Sequence, residues 1–323
     1  MVKLGVIGTG KMAERFCQII TEDKLAELRG VVAQNFEKTE IFANRFKTQA
    51  FKEVEDLCRS DDIEAILICS PDSLHCKHAV MALECKKHVL LEKPMATTLE
   101  ECQEIMDSAK EVGALLFIGQ TFRFNGAVMA IKKLLKEEDI GEVYNLNLHW
   151  GIAAHEAQSW RSDGRLSPWW NLSAMGVHCV DIIRFLLNER CGEVVDCKSL
   201  LTSHRFKTKN EDQAHALLEF ESGATASFKS TLNYRHPMSV EIDTEKGRVS
   251  CLDLVHHQRI VQFNDQVIEV PKNVHWKEQL LSFFDSVESH LPVAVSGVEG
   301  MKNVEILLKL KQGSPEGTQD FIN

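Results

Sequence analysis

The residues with the clearest chemical meaning form a glycine-rich loop near the start of the chain. Gly8 and Gly10 lie in the segment GTGKMA (8–13), which follows the apolar run VKLGVI (2–7) and precedes residues in helical rhythm. Between a strand and a helix, the first glycine permits a tight turn, the second lets a pyrophosphate approach the backbone, and Ala13 allows close packing. Helix N-terminal amides then face the phosphates. The motif predicts a dinucleotide site, rather than a turn without a ligand, made by Gly8, Thr9, Gly10, Lys11 and Met12.

The end of the second predicted strand bears on the choice between NAD and NADP. An acid there binds the ribose 2′-OH of NAD, whereas a nearby arginine favours NADP. The chain has Ala33, Gln34 and Asn35 at this place, with Lys38 close by. Because nothing here repels a 2′-phosphate, the sequence favours NADP slightly, and Ala33 and Gln34 are expected to contact the cofactor.

A set of landmarks recurs in order along nearly the whole chain. They are GTGKMA (8–13), the segment 70–96 with Glu92-Lys93-Pro94, GQTFRFN (119–125), IGEV (140–143), Trp160-Arg161, GVHCVD (176–181) and SGVEGMKNVEILLKL (296–310). In this order and spacing the chain resembles the Gfo/Idh/MocA oxidoreductases, the relatives of glucose–fructose oxidoreductase and inositol dehydrogenase. The resemblance implies an N-terminal Rossmann domain and hydride transfer between a nicotinamide cofactor and an alcohol.

The resemblance implies a catalytic role for Lys93. In that family the equivalent lysine lies at the nicotinamide and touches the substrate hydroxyl, and its bond to the following proline is often cis. Hydride leaves a carbinol carbon, so a donor must hold the oxygen and a base must take its proton. A lysine that ends a strand at the carboxyl edge of a parallel sheet is placed for this role. The alternative is a surface lysine before a turn.

His178 matches the catalytic histidine of the family, and a histidine can exchange protons near neutral pH. One departure is clear, because dehydrogenases of the family usually carry an aspartate four residues earlier, where this chain has Ala174. The usual glycine-rich run before it is replaced by PWWN (168–171). Asp181, one helical turn after His178, could orient the ring or have a structural role alone. Other side chains that could reach the site are His155, Glu156 and Asp163.

Further residues are assigned to cofactor and substrate through the same resemblance. The expected neighbours of the nicotinamide are Ser70, Pro71, His75 and Glu92, although His75 could also be an ordinary helix-surface residue. The expected substrate contacts are Arg123, Asn125, Trp160, Arg161, Trp170 and His178. If Trp160, Trp169 and Trp170 line the site rather than the core, a ring-shaped substrate such as a sugar or cyclic diol fits best.

Strands and helices must position these residues. Continuous apolar runs such as AILICS (65–70) alternate with helical segments, which predicts right-handed βαβ units and a doubly wound parallel sheet. Later strands alternate polar and apolar residues, and this indicates a large, mainly antiparallel sheet interrupted by a helix from Ala174 to Leu187. We therefore predict an α/β protein with a Rossmann domain over 1–122 and an α+β domain for substrate binding and oligomerisation over 123–323.

Composition limits the partners of the chain. With a formal net charge of −10, we expect no nucleic acid and no membrane as a partner. The ten cysteines include no CxxC pair, and no signal peptide precedes the first strand, so reduced thiols and a cytoplasmic location are expected. The segment HCKH (75–78) has no second ligand cluster, and no metal is expected.

We predict an NAD(P)-dependent oxidoreductase that acts on a sugar, a polyol or a cyclic alcohol. The resemblance also implies a homodimer or homotetramer formed through the C-terminal sheet. Two alternatives remain open, a glycosidase-like enzyme with a retained NAD and a non-catalytic NAD(P)-binding regulator. Ala174 favours the regulator, whereas the retention of Lys93 and His178 argues against it.

Overall fold

A parallel sheet forms the first part of the computed structural model, which describes residues 1–137, 139–155, 160–162, 164–255 and 260–314. Within these residues its strands are β1 (Lys3–Ile7), β2 (Glu27–Val32), β3 (Gln49–Ala50), β4 (Ala65–Ile68), β5 (His88–Leu91) and β6 (Leu116–Ile118). The order is β3-β2-β1-β4-β5-β6, and every pairing is parallel. The strand order reverses between β1 and β4, so the predicted doubly wound Rossmann topology is confirmed.

Helices connect these strands, and their ends follow local sequence signals. They are α1 (Lys11–Asp23), α2 (Phe36–Phe46), α3 (Val54–Arg59), α4 (His75–Glu84) and α5 (Leu99–Val112). At the start of α2 the Asn35 side chain accepts a hydrogen bond from the backbone N–H of Lys38. Gly113 ends α5 in the left-handed conformation, with φ of 68°. All of β4 is buried, as a parallel strand covered on both faces requires.

The chain returns to this sheet near its C-terminal end. The first compact unit comprises residues 1–120 and 276–304. The later stretch belongs to two helices, α8 (His275–Ser289) and α9 (Gly297–Gln312). Phe283 of α8 packs edge-on against Phe117 of β6, with 5.9 Å between ring centroids. The sequence division after residue 122 assigned this stretch to the second domain, because a contact between residues so far apart leaves no periodic signal.

The second unit, residues 121–275 together with the chain from residue 305, contains a larger sheet. Its strands within the described ranges are β7 (Val143–Gly151), β8 (Val194–Thr202), β9 (Gln213–Phe220), β10 (Thr225–Thr231), β11 (His236–Thr244), β12 (Gly247–Cys251), β13 (Val261–Phe263) and β14 (Gln266–Ile268). The order is β14-β13-β12-β11-β7-β10-β9-β8, with β7 and β10 parallel and the other pairs antiparallel. The expected mainly antiparallel sheet is thus confirmed.

Helices cover one face of this second sheet. They are α6 (Gly126–Glu137), a π-helix (Leu172–Gly176) and α7 (Val177–Cys191), which continues directly from the π-helix. Helix α7 packs on β7 and β10. Along β9 the side chains alternate, so that Ala216 and Leu218 are buried while Leu217 is 63% exposed on the opposite face.

Some elements depart from the sequence-based expectation. β8 was not predicted, because its outward-facing Val195 and Leu200 are apolar and erase the polar–apolar alternation. The short strands β3 and β14, of two and three residues, were not predicted either. The expected helix from Ala174 starts earlier, as the π-helix, because helical periodicity does not distinguish π from α winding.

The described part of the chain has two further properties. All ten cysteines lie in the described ranges, and each is a free thiol. Among the described helices, none combines the length and the apolar character needed to cross a membrane.

Candidate active site

The glycine loop at the end of β1 leaves backbone exposed at a helix N-terminus. Gly8 has φ of 112°, and a Cβ there would lie 2.7 Å from the carbonyl oxygen of Cys69, so this position requires glycine. Gly10 precedes α1, its side-chain position is open within 4 Å, and no side chain caps the helix. Uncapped N-terminal amides beside open space are what a dinucleotide pyrophosphate needs, and the loop therefore fits the cofactor.

The polar side chains that follow β2 either cap the next helix or are exposed. Asn35 caps α2 through the backbone N–H of Lys38, at 2.9 Å. The carbonyl oxygen of Ala33 accepts a hydrogen bond from the hydroxyl of Thr39 at 3.4 Å. The side chains of Gln34 and Lys38 are exposed. The edge at β2 thus carries neither the acid typical of NAD sites nor an arginine.

Lys93 lies just after β5, at the carboxyl edge of the same sheet. Glu92 and Lys93 are 8% and 9% exposed, which contradicts the alternative of a surface lysine. The backbone N–H of Lys93 donates to the carboxylate of Glu92 at 3.2 Å. The bond between Lys93 and Pro94 is cis, as the resemblance implies.

His75 connects the ends of β4 and β5. Its Nδ1 lies 2.7 Å from the carbonyl oxygen of Pro94, and its Nε2 lies 2.9 Å from the carbonyl oxygen of Ser70. A carbonyl oxygen only accepts, so a ring nitrogen that carries a proton donates to the carbonyl oxygen beside it. His75 is 1% exposed, which contradicts the helix-surface alternative. The ring therefore fixes the backbone on either side of the sheet edge that carries Lys93.

A second histidine supports the same turn. Nδ1 of His78 lies 2.9 Å from the hydroxyl of Ser70, the residue that precedes Pro71. Burial, followed by repulsion from His75 and Lys77, lowers the pKa of His78 to about 4. His78 is therefore neutral near pH 7.

In the second unit, His178 lies at the start of α7 among aromatic rings. Its ring meets that of Phe122 edge-on, with 4.9 Å between centroids, and lies 6.1 Å from Trp150 at a tilt of 57°. His178 is 7% exposed. Phe122 also stacks on His275 at 5.3 Å. The sequence did not single out Phe122, although it lies in the landmark GQTFRFN (119–125), or Trp150, which ends a predicted strand.

Arg123 and Asp181 form a buried ion pair. Nε of Arg123 donates to both carboxylate oxygens of Asp181, at 3.1 and 2.9 Å, and Nη2 donates to Oδ1 at 2.7 Å. The two side chains are 9% and 1% exposed. The pair connects the turn that carries Phe122 to the helix that carries His178. The sequence associated Arg123 with the substrate and Asp181 with His178. In the structure the two charged groups bind each other.

Asn125 has a structural set of contacts. Its Oδ1 accepts from the backbone N–H of Ala127 and Val128 at the start of α6, at 2.9 and 3.3 Å. Its Nδ2 donates to the carbonyl oxygen of Leu254 at 2.7 Å, and the residue is fully buried.

The predicted tryptophans lie in different surroundings. Trp169 is fully buried, and Trp170, 4% exposed, belongs to an apolar cluster against which Ala174 packs. The guanidinium of Arg161 lies 3.9 Å from the centre of the Trp160 ring. Nε of Arg161 donates to the hydroxyl of Ser173 at 2.8 Å. His155 is exposed, and Glu156 and Asp163 lie outside the described residues.

Glu211 is a buried residue that the sequence did not reveal. Its Oε1 accepts from the backbone N–H of Trp170 and Leu172, at 3.1 and 2.9 Å, and Lys311 lies 3.3 Å from its Oε2. Burial raises the pKa of Glu211. The carboxylate fixes the start of the π-helix, but its sequence context contains no motif that could have indicated this.

The fold and the glycine loop define an oxidoreductase domain that binds NAD or NADP. The family model described as "Oxidoreductase family, NAD-binding Rossmann fold" matches residues 2–120. The model of the GFO/IDH/MocA C-terminal domain matches residues 128–250. The chain belongs to the GFO/IDH/MocA family, and the resemblance inferred from its motifs is confirmed.

The relatives include sugar and inositol dehydrogenases. Over 190 residues the chain is 30% identical to glucose-6-phosphate 3-dehydrogenase of Bacillus subtilis. This matched stretch covers 58% of the chain and only about half, 54%, of the length of that enzyme. It is 24% identical to myo-inositol 2-dehydrogenase of Thermotoga maritima, over 93% of this chain and 92% of the relative. Aldose–aldose oxidoreductase from Caulobacter crescentus has the same fold, with a TM-score of 0.86, 22% identity and 98% coverage of both chains.

Proposed function

We propose that this chain is an NAD(P)-dependent dehydrogenase or reductase acting on the CH–OH group of a sugar, polyol or cyclic alcohol. The observation that carries the proposal is the buried Lys93 at the same sheet edge as the uncapped glycine loop. A bound nicotinamide takes hydride from a carbinol carbon and returns it to a carbonyl carbon in the reverse direction. The named substrates of the relatives, sugars and inositols, support this class of alcohol.

Backbone and side chains of the first unit would hold the cofactor. The backbone of Gly8 and Thr9 and the amides of Gly10, Lys11 and Met12 would bind the pyrophosphate. Ala33 and Gln34 would contact the adenosine ribose. The expected neighbours of the nicotinamide are Ser70, Pro71 and Glu92. His75 would act through Ser70 and Pro94 as a positioning residue, since both its ring nitrogens are bonded to their carbonyl oxygens.

Lys93 and His178 would carry the proton chemistry. The ammonium group of Lys93 would donate a hydrogen bond to the reacting oxygen, and His178 would take the hydroxyl proton during oxidation and return it during reduction. A ketone or aldehyde and a protonated histidine would remain after oxidation. Arg123 and Asn125 would support this site through the pair with Asp181 and the cap of α6, while Trp160, Arg161 and Trp170 remain candidate substrate contacts.

Kinetics of two variants test these roles. Reduction of NAD and NADP by a panel of sugars, inositols and cyclic diols is followed in wild type, Lys93→Met and His178→Asn. Loss of a general acid–base group lowers rates by about 10²–10⁴-fold, so both variants should lose turnover to this extent while cofactor affinity stays nearly intact. His178→Asn should also flatten the pH profile between roughly pH 5 and 8. A wild type that turns over while both variants keep the full rate would contradict the assignment.

Two further parts of the proposal concern cofactor choice and assembly. We infer a slight preference for NADP, because Ala33, Gln34 and Asn35 after β2 include no acid and Lys38 lies close by, in the first turn of α2. A homodimer or homotetramer through the second sheet is supported by Leu200, Leu217 and Leu252, which line one concavity of its outer face and are 49%, 63% and 74% exposed. Sedimentation of wild type and Leu217→Glu tests the assembly. The free cysteines support a cytoplasmic location.

A non-catalytic NAD(P)-binding regulator is the second candidate. The observation in its favour is Ala174, which packs in an apolar cluster and offers no carboxylate. Cofactor binding without turnover of any alcohol in the panel would support the regulator.

A further inference from the structure

The outer face of the second sheet contains a concavity of about 910 Å³. Its apolar lining includes Leu200, Leu217 and Leu252, on which the proposed assembly rests. The six strands from β8 to β12 in the sheet order present a face of roughly 750 Å², at about 4.8 Å per strand and 3.3 Å per residue. A stable interface buries about 800 Å² on each partner, so this face has the size needed to bind a second copy of the chain.

Basic side chains from five strands line the same concavity. His215 of β9 is paired with Lys229 of β10, and Lys229 with His149 of β7, so these three side chains form one row across the face. Lys198 of β8 and His236 of β11 also line the concavity. Five basic groups therefore lie together on a chain whose formal net charge is −10.

Acidic groups offset this charge only in small part. Glu241 is the one carboxylate among the described residues that line the concavity, and it also lies 3.8 Å from Nη1 of Arg248. Further carboxylates of the outer face lie outside the concavity, namely Asp196, Glu219 and Asp243. Two of them are paired, Asp243 with Arg248 at 2.7 Å and Asp196 with Lys198 at 3.8 Å. The concavity therefore has an excess of basic groups.

Two of the histidines are held in the neutral form by these surroundings. The rings of His149 and His236 stack with 3.5 Å between centroids, and Nε2 of His149 lies 3.3 Å from the hydroxyl of Tyr234. Burial, followed by repulsion from His236, Lys229 and His215, lowers the pKa of His149 to about 4. Burial and then Lys229 lower the pKa of His215. Both rings are therefore neutral near pH 7.

A second copy of the chain adds basic groups to this place. Two identical chains that bind through one face form an isologous interface, in which the same patch lies on both sides. In an interface centred on the concavity, the basic excess is doubled rather than neutralised. Removing water from a charged group is costly, and like charges nearby increase the cost. Neutral histidines are compatible with such an interface, whereas protonated histidines oppose it.

We propose that protonation of His149, His215 and His236 controls assembly through the second sheet, so that copies bind each other while the three rings are neutral and separate as the pH falls. The inference rests on the assembly proposed above and adds its regulation. Histidine is the side chain whose charge ordinarily changes between pH 5 and 8, while the lysines of the concavity ordinarily stay charged over this range.

Sedimentation velocity at pH 7.5 and pH 5.5, at constant ionic strength, tests the proposal. A histidine that titrates near pH 6.5, and that must be neutral in the assembly, weakens binding by about tenfold per copy between these two pH values. For a pair of copies we therefore expect the dissociation constant to rise by about a hundredfold or more. A change of less than about threefold overturns the inference. Circular dichroism is recorded in parallel, and a loss of assembly that accompanies unfolding also overturns it.

Histidine variants show which groups cause the pH dependence. The combined variant His149→Gln, His215→Gln and His236→Gln should stay assembled at pH 5.5, because it lacks the rings that take up protons. His215→Gln alone should reduce the pH dependence and serves as the test if the combined variant does not fold. The matched control is His204→Gln, an exposed position of the same unit outside the concavity, which should behave as wild type. Equal pH dependence in all the variants overturns the role of the concavity.

The same measurements separate this inference from the assembly on which it rests. If wild type is assembled to the same extent at both pH values, the assembly stands and its control by histidines fails. If wild type is monomeric at both, the proposed assembly fails, and this inference with it. Turnover of alcohols at pH 7.5 tests the dehydrogenase function independently, because none of the three histidines belongs to the proposed catalytic groups.

Discussion

The two regions that we assign to function differ in the groups that form them, which are backbone groups in one region and side chains in the other. At the edge of the first sheet the main features are backbone: the amides after Gly10 and the carbonyl oxygens of Ser70 and Pro94 that His75 bridges. Around His178 the features are side chains, namely the ring of Phe122 and the bidentate pair of Arg123 with Asp181. A backbone site is determined by a short segment, whereas a side-chain site needs several distant segments to meet.

This contrast predicts different sensitivities to mutation. A substitution in the side-chain region should disturb stability, because its charges are buried and mutually dependent. A substitution at Gly10 in the backbone region should disturb ligand binding and leave the fold intact, because the space beside Gly10 is open.

The largest expected effect is on stability, in the side-chain region. Asp181→Asn removes the carboxylate charge that is bonded to the buried guanidinium of Arg123 and should lower the free energy of unfolding by about 3–5 kcal/mol. The control is Glu55→Gln, which breaks an exposed pair with Arg59 on α3 and should cost no more than about 0.5 kcal/mol. Urea denaturation measures both. Equal losses of unfolding free energy in the two variants would mean that the buried ion pair stabilises the fold no more than the exposed one.

The second effect is pH dependence in the backbone region. Because the pKa of His78 is lowered from 6.5 to about 4, the unfolded chain binds a proton more readily, and stability is lost as pH falls from about 6.5 to 4. His78→Gln should remove up to about 3 kcal/mol of this dependence, at about 1.4 kcal/mol per pKa unit. Denaturation at pH 7 and pH 4.5 measures it. His204→Gln, at an exposed position, serves as the control, and identical pH dependence in both variants would exclude this role of His78.

The third effect is on cofactor affinity. Gly10→Val places a branched side chain in the space that we assign to the pyrophosphate, and should weaken NAD(P) binding by about a hundredfold or more. Gly10→Ala should weaken it less. The φ of −79° at Gly10 is accessible to any residue, so unfolding curves should remain unchanged. Fluorescence titration gives the affinity, and an unaltered value in the valine variant would remove this loop from the cofactor site.

The smallest effect concerns cofactor choice. Ala33→Asp places a carboxylate at the end of β2, where it should bind the ribose hydroxyl of NAD and repel the 2′-phosphate of NADP. We expect the ratio of NAD to NADP affinity to rise by about tenfold, equivalent to ~1.4 kcal/mol. Ala50→Asp on β3 is a control on a neighbouring strand. A ratio that stays constant would mean that the adenosine ribose binds elsewhere.

The sequence motifs predicted the first region well because short continuous segments form that region. The glycine spacing of 8–13 follows a strand directly, and β1 and β4 lie in the apolar runs VKLGVI (2–7) and AILICS (65–70). The end of α5 was also readable, since Gly113 directly follows its last residue. The site roles of Lys93 and His178 came from the resemblance and stay predictions.

Only the tertiary structure decided what surrounds the second region. The sequence identified Arg123, Asp181 and Trp170, but their partners lie up to 58 residues away, and no periodicity connects them. It likewise gave no sign that Glu211 and Asp212 hold the turn at Trp170 and the loop at Phe206. Short-range patterns record which backbone conformation a segment adopts. The contacts among buried charges and rings depend on how whole helices and strands pack against one another. A buried polar group without a partner is costly, so the fold must bring a partner to each such group from any part of the chain.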